Sequence, residues 1–469
     1  MLQEITTITG KDLIEWGHRP NKGFEQAINK ANEALAEGMS IEDVRVMVEV
    51  FKPAPQLPLD EPDTKPLHIN IEATDADEAK NVEQVTQSMR ELLRTPTLTH
   101  GAIMPDACPT GPIGTIPVGG VVAAKNAIHP GMHSADICCS VMLSNFGDAD
   151  PKTVLDAIHN VTHFGPGGRS NGKRFTMSLK LLDAFRENMF LNNPKIIRSA
   201  QEQMGTQGDG NHFAFVGKSR NTGDTCLVTH HGSRGPGAHL YKLGMNVAEK
   251  FRKGLSPQTL KTNAWIPFDT EEGAAYWEAL QLMRKWTKAN HSAIQQATLE
   301  VAKAQMKERF WNEHNFVFKR DDVFYHAKGA TPAYEGFASD DTGLTLIPLN
   351  MSEPVLVARG LDADHGLGFS PHGAGRNFSR TEHRRRNEDI TPEEMMARET
   401  SGLDIRFYSG TPDMSELPSA YKNADSVAKQ IESRGLAKIE DYIDPYGCIM
   451  GGVFPAPWLE RKKNKGVRR

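Results

Sequence analysis

The chain has 469 residues, of which 38% are hydrophobic and 24% charged, and its formal net charge is −5. A chain of this length can bury a large core, and its negative charge argues against a globally basic nucleic-acid binder, so a polyanion would have to meet a local patch. The sequence contains no apolar run long enough to span a bilayer and no leader-like start, so we expect a cytoplasmic protein without a membrane partner. The five cysteines are sparse and odd in number, which makes a disulfide framework an unfavourable interpretation.

The N-terminal stretch predicts a small unit followed by a linker. Apolar residues recur at helical spacing between Ile8 and Val50, and four prolines between Lys52 and Asp63 favour an extended backbone. The sequence therefore predicts a helical extension over 1–50, a Pro-rich linker over 51–65, a catalytic domain over 66–455 and a basic tail over 456–469.

The first part of the main domain predicts alternating elements. Leu67–Glu72 is typical of a strand and Ala76–Leu93 of a helix. Glycines and prolines between Met104 and Ile116 favour a loop, and Val118–Ala124 is typical of a buried strand.

A possible metal-ligating pair follows that strand. Asp136 and Cys139 are three residues apart, so their side chains converge only if the chain turns between them. A carboxylate beside a thiolate suits a borderline or soft divalent metal. On this segment alone, a buried strand end with an inert thiol is the favoured interpretation.

Glycine-rich segments bring cations and imidazoles near predicted strands. The segment from Phe164 to Arg174, which includes Arg169, could clamp phosphates or could equally be a solvated loop. Asn211 and His212 precede one short strand, and His230 follows another, which favours imidazoles at a sheet edge.

Two long helices are predicted next, over Leu240–Lys253 and Glu271–Phe310, and His314 follows the second. Strands are expected over Leu344–Pro348 and Val355–Ala358. A helix over Asp425–Gly435 and a strand over Tyr446–Val453 follow.

The segment after Phe369 carries the residue types that phosphoryl transfer needs. His372 leads a turn of small residues, and glycines let a backbone approach a phosphate closely. Arginines such as Arg376 and Arg380 match phosphate oxygens with a planar fork. This turn consists of His372, Gly373, Ala374, Gly375 and Arg376.

Six motifs together resemble the RtcB family of RNA-splicing ligases, over residues 100–451. They are DI-x-C (136–139), GNHF (210–213), HGSRG (231–235), HN (314–315), HGAGR with a following SR (372–380) and PSAYKNAD (418–425). The resemblance implies an α/β fold with central sheets flanked by helices around a deep, metal-containing cleft. It also implies an enzyme that uses Mn²⁺, as two ions, and GTP to join an RNA 3′-phosphate or 2′,3′-cyclic phosphate to a 5′-hydroxyl in RNA splicing or repair.

The resemblance also implies roles for individual residues. His372 would take up the nucleotide, Asn211 would contact its phosphate, and Tyr421 would face its base, with Asn350 at a further nucleotide position. Arg234 and Arg380 would hold RNA phosphates, beside the candidate Arg169. The implied metal ligands are Asp136, Cys139, His212, His230 and His314.

The chain departs from the family pattern at positions that the resemblance places at the nucleotide, in the cleft wall and beside the metal. Phe215 replaces a glutamate, Asn350 replaces a serine and Met450 replaces a lysine. In addition, Cys138 replaces a glycine, and the region of Cys108 replaces a histidine. These departures lead to the hypothesis that the nucleotide is not strictly GTP. Two alternatives stay open: a nucleotidyltransferase that caps or processes RNA phosphate ends without ligation, and a non-catalytic protein that binds RNA ends.

Overall fold

The computed structural model describes residues 7–18, 23–52, 55–170, 173–337 and 340–455. The chain divides into two compact units, one formed by Met1–Pro58 with Lys250–Gln258 and the other by Leu59–Glu249 with Thr259–Arg469. The basic tail predicted over 456–469 lies outside the described residues. The assignment of a linker and a catalytic domain stays a prediction.

The described residues form the mixed α/β fold that the sequence predicts. The helices are α1 (Gly10–Glu15), α2 (Phe24–Ala36), α3 (Ile41–Val48), α4 (Ala76–Leu93), α5 (Pro151–Val161), α6 (Leu179–Glu187), α7 (Pro194–Glu202), α8 (Arg234–Leu255), α9 (Glu271–Ala302), α10 (Arg380–Arg386), α11 (Pro392–Glu399) and α12 (Ala424–Ser433).

The strands alternate with these helices along the chain. They are β1 (Leu67–Ile69), β2 (Leu98–Cys108), β3 (Val118–Lys125), β4 (Ala127–Ile128), β5 (Ser140–Asn145), β6 (Phe213–Ser219), β7 (Thr225–His231), β8 (Ile266–Pro267), β9 (Glu308–Glu313), β10 (Asn315–Arg320), β11 (Val323–Lys328), β12 (Ala330–Pro332), β13 (Leu344–Pro348), β14 (Val355–Gly360), β15 (Phe369–Pro371), β16 (Asp404–Phe407) and β17 (Ala437–Met450).

The first unit contains α1 to α3, as the helical spacing predicts. Their apolar stripes bury Leu13, Ala27, Ala31 and Val44 against one another. Ser40 caps α3, because its side-chain oxygen accepts a hydrogen bond from the backbone N–H of Asp43 at 3.1 Å.

The largest sheet of the second unit has the strand order β13-β14-β17-β6-β7-β5-β9, and β16 pairs in parallel with β17. Neighbours along this path are antiparallel, and β5, the second strand from the β9 edge, pairs with both β7 and β9. The edge strands β9 and β13 approach each other, since the side chain of Asn312 accepts a hydrogen bond from the backbone N–H of Leu346 at 2.9 Å. The sheet is therefore nearly closed.

A second sheet has the order β1-β2-β3-β11-β10. Helix α4 packs on β2. Much later in the chain, the short strand β15 pairs with β12 and also contacts β2. The turn after β15, which carries His372, therefore lies beside β2.

Two predictions about secondary structure are wrong. The loop predicted from Met104 begins instead as the end of β2, which runs to Cys108 through a register shift that accommodates Pro105. The helix predicted over Glu271–Phe310 ends at Ala302, where Lys303 adopts a left-handed conformation with φ 51°. The residues after Met306 form β9 because they pair with β5.

The boundaries of the other elements agree with the sequence to different degrees. Helix α4 has the predicted limits, whereas the last strand, β17, begins and ends before the predicted Tyr446–Val453. His230 lies inside β7 and not after it. Among the described residues, no helix is both long and apolar enough to cross a membrane.

A buried ion pair joins α4 to the loop before α12. Lys422 and Glu78 are each 3% exposed, and the Lys422 ammonium lies 2.8 Å from a Glu78 carboxylate oxygen. Burial by itself would raise the pKa of Glu78, but hydrogen bonds from Lys422 and Thr74 lower it below its usual value.

We expect Lys422→Ala to lower the free energy of unfolding by about 3–5 kcal/mol, because it leaves a buried carboxylate without its cation. The change is measured as a shift of the urea unfolding midpoint, with the exposed Lys429→Ala as a control. The double variant Lys422→Met with Glu78→Leu should recover most of the loss. An unchanged midpoint for Lys422→Ala would contradict this account of the pair.

Candidate active site

A tight turn before β5 brings Asp136 and Cys139 together. The backbone N–H of Cys139 donates to the carbonyl of Asp136 at 3.2 Å, and Cys138 between them has φ 56°. A residue other than glycine is strained in this left-handed region. The turn directs both side chains towards His212, so that one ligand atom from each of the three residues lies within 4.8 Å of the others.

A second group shares Cys139. Its sulfur lies 3.1 Å from Nε2 of His230, which lies 3.2 Å from Nε2 of His314. The strand order explains this convergence, since Ser140 at the start of β5 is opposite His231 of β7 on one side and Glu313 of β9 on the other. The structure thus brings together all five residues that the resemblance implies as metal ligands.

The hydrogen bonds behind the rings determine which nitrogens face the centre of the cluster. Nδ1 of His212 donates to the carbonyl of Gln207 at 2.6 Å, and Nδ1 of His230 donates to the carbonyl of Asn211 at 3.1 Å. In a neutral ring this leaves the lone pair on Nε2, the nitrogen that each ring turns inward. Backbone carbonyls that orient histidines in this way are typical of metal sites.

The same residues pass a test of chemical fit to a divalent cation. Nε2 of His212 lies 3.0 Å from Oδ2 of Asp136, which places a ring nitrogen and a carboxylate oxygen where both can bind one cation. Burial lowers the pKa of His230 to about 3 and that of His314 well below its usual value, so both rings are neutral, as metal ligands must be. Thiolate, imidazole and carboxylate together suit Mn²⁺, Fe²⁺ or Zn²⁺.

His372 lies beside this cluster and is oriented by a carboxylate that the sequence analysis missed. The ring centroids of His372 and His314 are 4.7 Å apart. Nδ1 of His372 donates to Oδ2 of Asp106 at 2.6 Å, and Asp106 in β2 is fully buried. The neutral ring therefore has its lone pair on Nε2.

The wrongly predicted loop at Met104–Ile116 concealed Asp106. A single carboxylate inside an otherwise apolar, buried segment from Ala102 to Ala107 was the signal that could have identified it. The turn at Gly375 has φ 73°, and a Cβ there would overlap the carbonyl of Asp106. Glycine is therefore required at this position for the turn to pack on β2.

A cleft of about 1010 Å³, including its open mouth, lies in front of His372. All the residues that the sequence analysis assigns to nucleotide binding line it, although their contacts with a nucleotide stay predictions. They are Asn211, Asn350, His372, Gly373, Ala374, Gly375, Arg376 and Tyr421.

A second missed residue, Glu416, organises the cationic wall of the cleft. Its carboxylate accepts hydrogen bonds from Arg376 at 2.6 Å and from the Tyr421 hydroxyl at 2.6 Å, and it lies 2.7 Å from the guanidinium of Arg380. The Arg376 guanidinium also lies over the Tyr421 ring, 4.5 Å from its centroid. Glu416 lies two positions before Pro418, where the family motif begins, so the motif does not include it.

The three arginines predicted to bind RNA lie in different environments. The Arg169 guanidinium donates to the carbonyls of Gly205, at 2.9 Å, and Val161, and burial lowers the pKa of this group. Arg234 donates to the carbonyl of Gly165 at 3.1 Å, whereas Arg380 lines the cleft. Arg169 and Arg234 therefore hold glycine-rich loops in place, and contacts of all three arginines with RNA stay predictions.

The chain is similar to known proteins of one family. The model of one family, described as "RtcB: tRNA-splicing ligase RtcB", matches residues 186–451, more than half of the chain. A tRNA-splicing ligase RtcB of Thermococcus kodakarensis is 28% identical over 53% of this chain and 60% of its own length. An RNA-splicing ligase RtcB of Escherichia coli K12 is 24% identical over 74% of this chain and 90% of its own length.

The extent of these matches differs between relatives. The match to the tRNA-splicing ligase RtcB of Pyrococcus horikoshii, at 28% identity, covers 33% of that protein. The chain thus spans between a third and three fifths of the archaeal relatives from Thermococcus kodakarensis and Pyrococcus horikoshii.

We expect Cys139→Ala to weaken Mn²⁺ binding, because Cys139 belongs to both ligand groups. Removing a residue that only hydrogen-bonds to a metal ligand lowers metal affinity by roughly tenfold or more, so the loss of a ligand should lower it by at least that factor. Binding is measured by titration calorimetry with Mn²⁺ alone. Cys226→Ala serves as the matched control, since Cys226 is equally buried but lies in the sheet core. Equal affinities for the two variants would exclude this cluster as the metal site.

Proposed function

The chain belongs to the RtcB family, and on this premise we propose that it is an RNA ligase. It joins an RNA end that carries a 3′-phosphate or 2′,3′-cyclic phosphate to an end that carries a 5′-hydroxyl. Its partners are these RNA ends, Mn²⁺ as two ions, and a nucleoside triphosphate, which is GTP or another nucleotide. The observation that carries the proposal is the convergence of five ligand side chains beside the oriented imidazole of His372.

The metal ions would be held by two groups that share one sulfur. Asp136, Cys139 and His212 form the first group, and Cys139 with His230 and His314 forms the second. A bound cation supplies positive charge that stabilises phosphoryl oxygens during displacement. The backbone carbonyls of Gln207 and Asn211 keep two of the rings in the tautomer that can bind it.

His372 is the nucleophile in this proposal. Asp106 holds the proton on Nδ1 and leaves Nε2 free to attack the α-phosphorus of the nucleotide. An N–P bond forms, the bond from the α-phosphorus to the bridging oxygen breaks, and pyrophosphate leaves. Asp106 also stabilises the positive charge that develops on the ring.

Two further transfers complete the reaction. Where the RNA end is a 2′,3′-cyclic phosphate, water first breaks the bond from phosphorus to O2′ and leaves a 3′-phosphate and a 2′-hydroxyl. An oxygen of the 3′-phosphate then attacks the α-phosphorus, the N–P bond to His372 breaks, and the RNA end carries the nucleoside monophosphate as its activating group. The 5′-hydroxyl then attacks the 3′-phosphate, and the nucleoside monophosphate leaves. Each transfer needs charge stabilisation more than proton transfer, which suits a wall of arginines.

The remaining predicted residues bind and orient the nucleotide and the RNA. Asn211 and the turn from Gly373 to Arg376 surround the nucleotide phosphates, and Tyr421 faces the base. Three arginines favour the approach of RNA phosphates by their positive charge. They are Arg380 at the cleft, Arg234 beneath the loop at Gly208 and Arg169 beneath Gly205. We assign direct phosphate contact first to Arg380, because its side chain is 42% exposed.

The proposal is tested with the purified chain, Mn²⁺, each of four nucleoside triphosphates labelled at the α-phosphate, and RNA with a 3′-phosphate and a 5′-hydroxyl. We expect a longer RNA product and a covalently labelled protein, and we expect His372→Ala to abolish both. His365→Ala is the control, because His365 is exposed and its Nε2 donates to the carbonyl of Arg434.

The products distinguish the alternatives. If the RNA product has unchanged length and altered ends, the activity is end processing and not ligation. RNA binding with neither labelling nor product would indicate a protein that only binds RNA ends. Identical labelling of wild type and His372→Ala would eliminate the covalent step.

We expect Asp106→Asn to slow labelling of His372 by about 10²–10⁴-fold, the range that positioned proton-holding groups contribute. The amide can present N–H groups to Nδ1, which favours the tautomer with a proton on Nε2. Rates of label uptake measure the effect, with the exposed Asp364→Asn as the control. Nucleotide and Mn²⁺ binding should persist, and a loss of binding in parallel with labelling would show that Asp106 acts only on the structure.

A further inference from the structure

We infer that the cleft holds the nucleobase by stacking and apolar contact without reading guanine, so that ATP serves at least as well as GTP. This inference rests on the proposed function, since it concerns the nucleotide that reaches His372. It assigns the role of specificity determinants to Phe215 and Met450, which face the cleft from neighbouring strands.

The end of the cleft away from the metal cluster is apolar. Phe213 directly follows the candidate ligand His212, and Phe215 lies two residues further along β6, about 7 Å away on the same face of the strand. Strand β17 runs antiparallel beside it, with Met450 opposite Phe213 and Cys448 opposite Phe215. Moving along these two strands therefore leads from the metal cluster to a wall without oxygen or nitrogen in its side chains.

The turn after β13 completes this wall. Met351 and Val355 line the cleft there and are 4% and 1% exposed, and both belong to the same core cluster as Phe215 and Met450. The base end of the cleft thus opens directly onto the hydrophobic core of the large sheet.

The polar side chains nearest to this wall have partners within the protein. Oε2 of Glu416 accepts hydrogen bonds from Arg376 and from the Tyr421 hydroxyl, and Oε1, which accepts no hydrogen bond, forms an ion pair with Arg380 at 2.7 Å. Oδ1 of Asn350 accepts hydrogen bonds from the backbone N–H and the hydroxyl of Ser352, at 2.9 and 3.0 Å. Asn350 therefore offers a base its N–H donors.

This set of groups disfavours guanine relative to adenine. Guanine carries an N1–H and an exocyclic amine on one edge, and burying both beside apolar side chains leaves more donors unpaired than burying the single amine of adenine. An amide donor such as that of Asn350 matches a ring nitrogen of adenine and equally O6 or N7 of guanine, so the difference between the two bases lies in their unpaired donors. Apolar and aromatic side chains bind the faces of either base.

The inference is tested by binding and by labelling, measured separately. Titration calorimetry with Mn²⁺ and either ATP or GTP gives the affinities, and the α-phosphate label gives transfer to His372. We expect ATP to bind and label at least as well as GTP. A preference for GTP above about tenfold, the effect of one satisfied polar group, would overturn the inference and leave the ligase proposal intact.

The two proposals fail in different ways. Binding of ATP without labelling of His372 would support the base-end inference and contradict the proposed covalent step. Binding of neither nucleotide would overturn both proposals.

Two substitutions at one position separate hydrogen bonding from packing. Phe215→Glu adds a carboxylate that can accept from guanine N1–H and its amine, so it should raise the ratio of GTP to ATP affinity by about tenfold. Phe215→Leu removes the ring and adds no acceptor, so it should weaken both nucleotides equally and leave the ratio unchanged. A thermal melt establishes whether each variant folds. If Phe215→Glu does not fold, Phe215→Leu still tests the inference. A changed ratio in Phe215→Leu would contradict the inference.

Discussion

The direction in which buried imidazole nitrogens point is the constraint on which the candidate site depends. Backbone carbonyls accept hydrogen bonds from Nδ1 of His212 and His230, so both rings turn Nε2 towards Asp136 and Cys139. Nitrogen, sulfur and carboxylate oxygen atoms that converge in this way suit a divalent cation. The large sheet maintains the arrangement, because Cys139 directly precedes β5, between His230 of β7 and His314, which directly follows β9.

The reactive imidazole depends on a second buried contact. Asp106 is fully buried in β2 and holds the Nδ1 proton of His372, while the glycine at 375 lets the turn pass over the carbonyl of Asp106. The buried pair of Lys422 and Glu78 holds the neighbouring loop, whose backbone N–H at Lys422 donates to the carbonyl of Gly375 at 3.0 Å. Fold stability and the position of the proposed nucleophile therefore depend on the same contacts.

The cleft combines a charged wall with an apolar wall. One wall carries arginines and a shared carboxylate, and the other consists of core side chains of the sheet. A nucleotide is itself divided in this way, with charged phosphates at one end and a flat base at the other. The order of the two environments along β6, from His212 to Phe215, gives the direction in which we place the nucleotide.

The sequence alone determined the mixed α/β class, the limits of helices such as α4, and the residue types of the candidate metal site, because periodicity and short motifs are local properties. It did not identify Asp106 or Glu416, which act through partners distant in the chain. Asp106 and His372 are separated by 266 positions, and a proline and glycines near Asp106 favoured a loop that strand pairing overrode. Only the tertiary structure could decide these contacts, because the pairing of β2 with β3 and the packing of the turn at Gly375 bring the two side chains together.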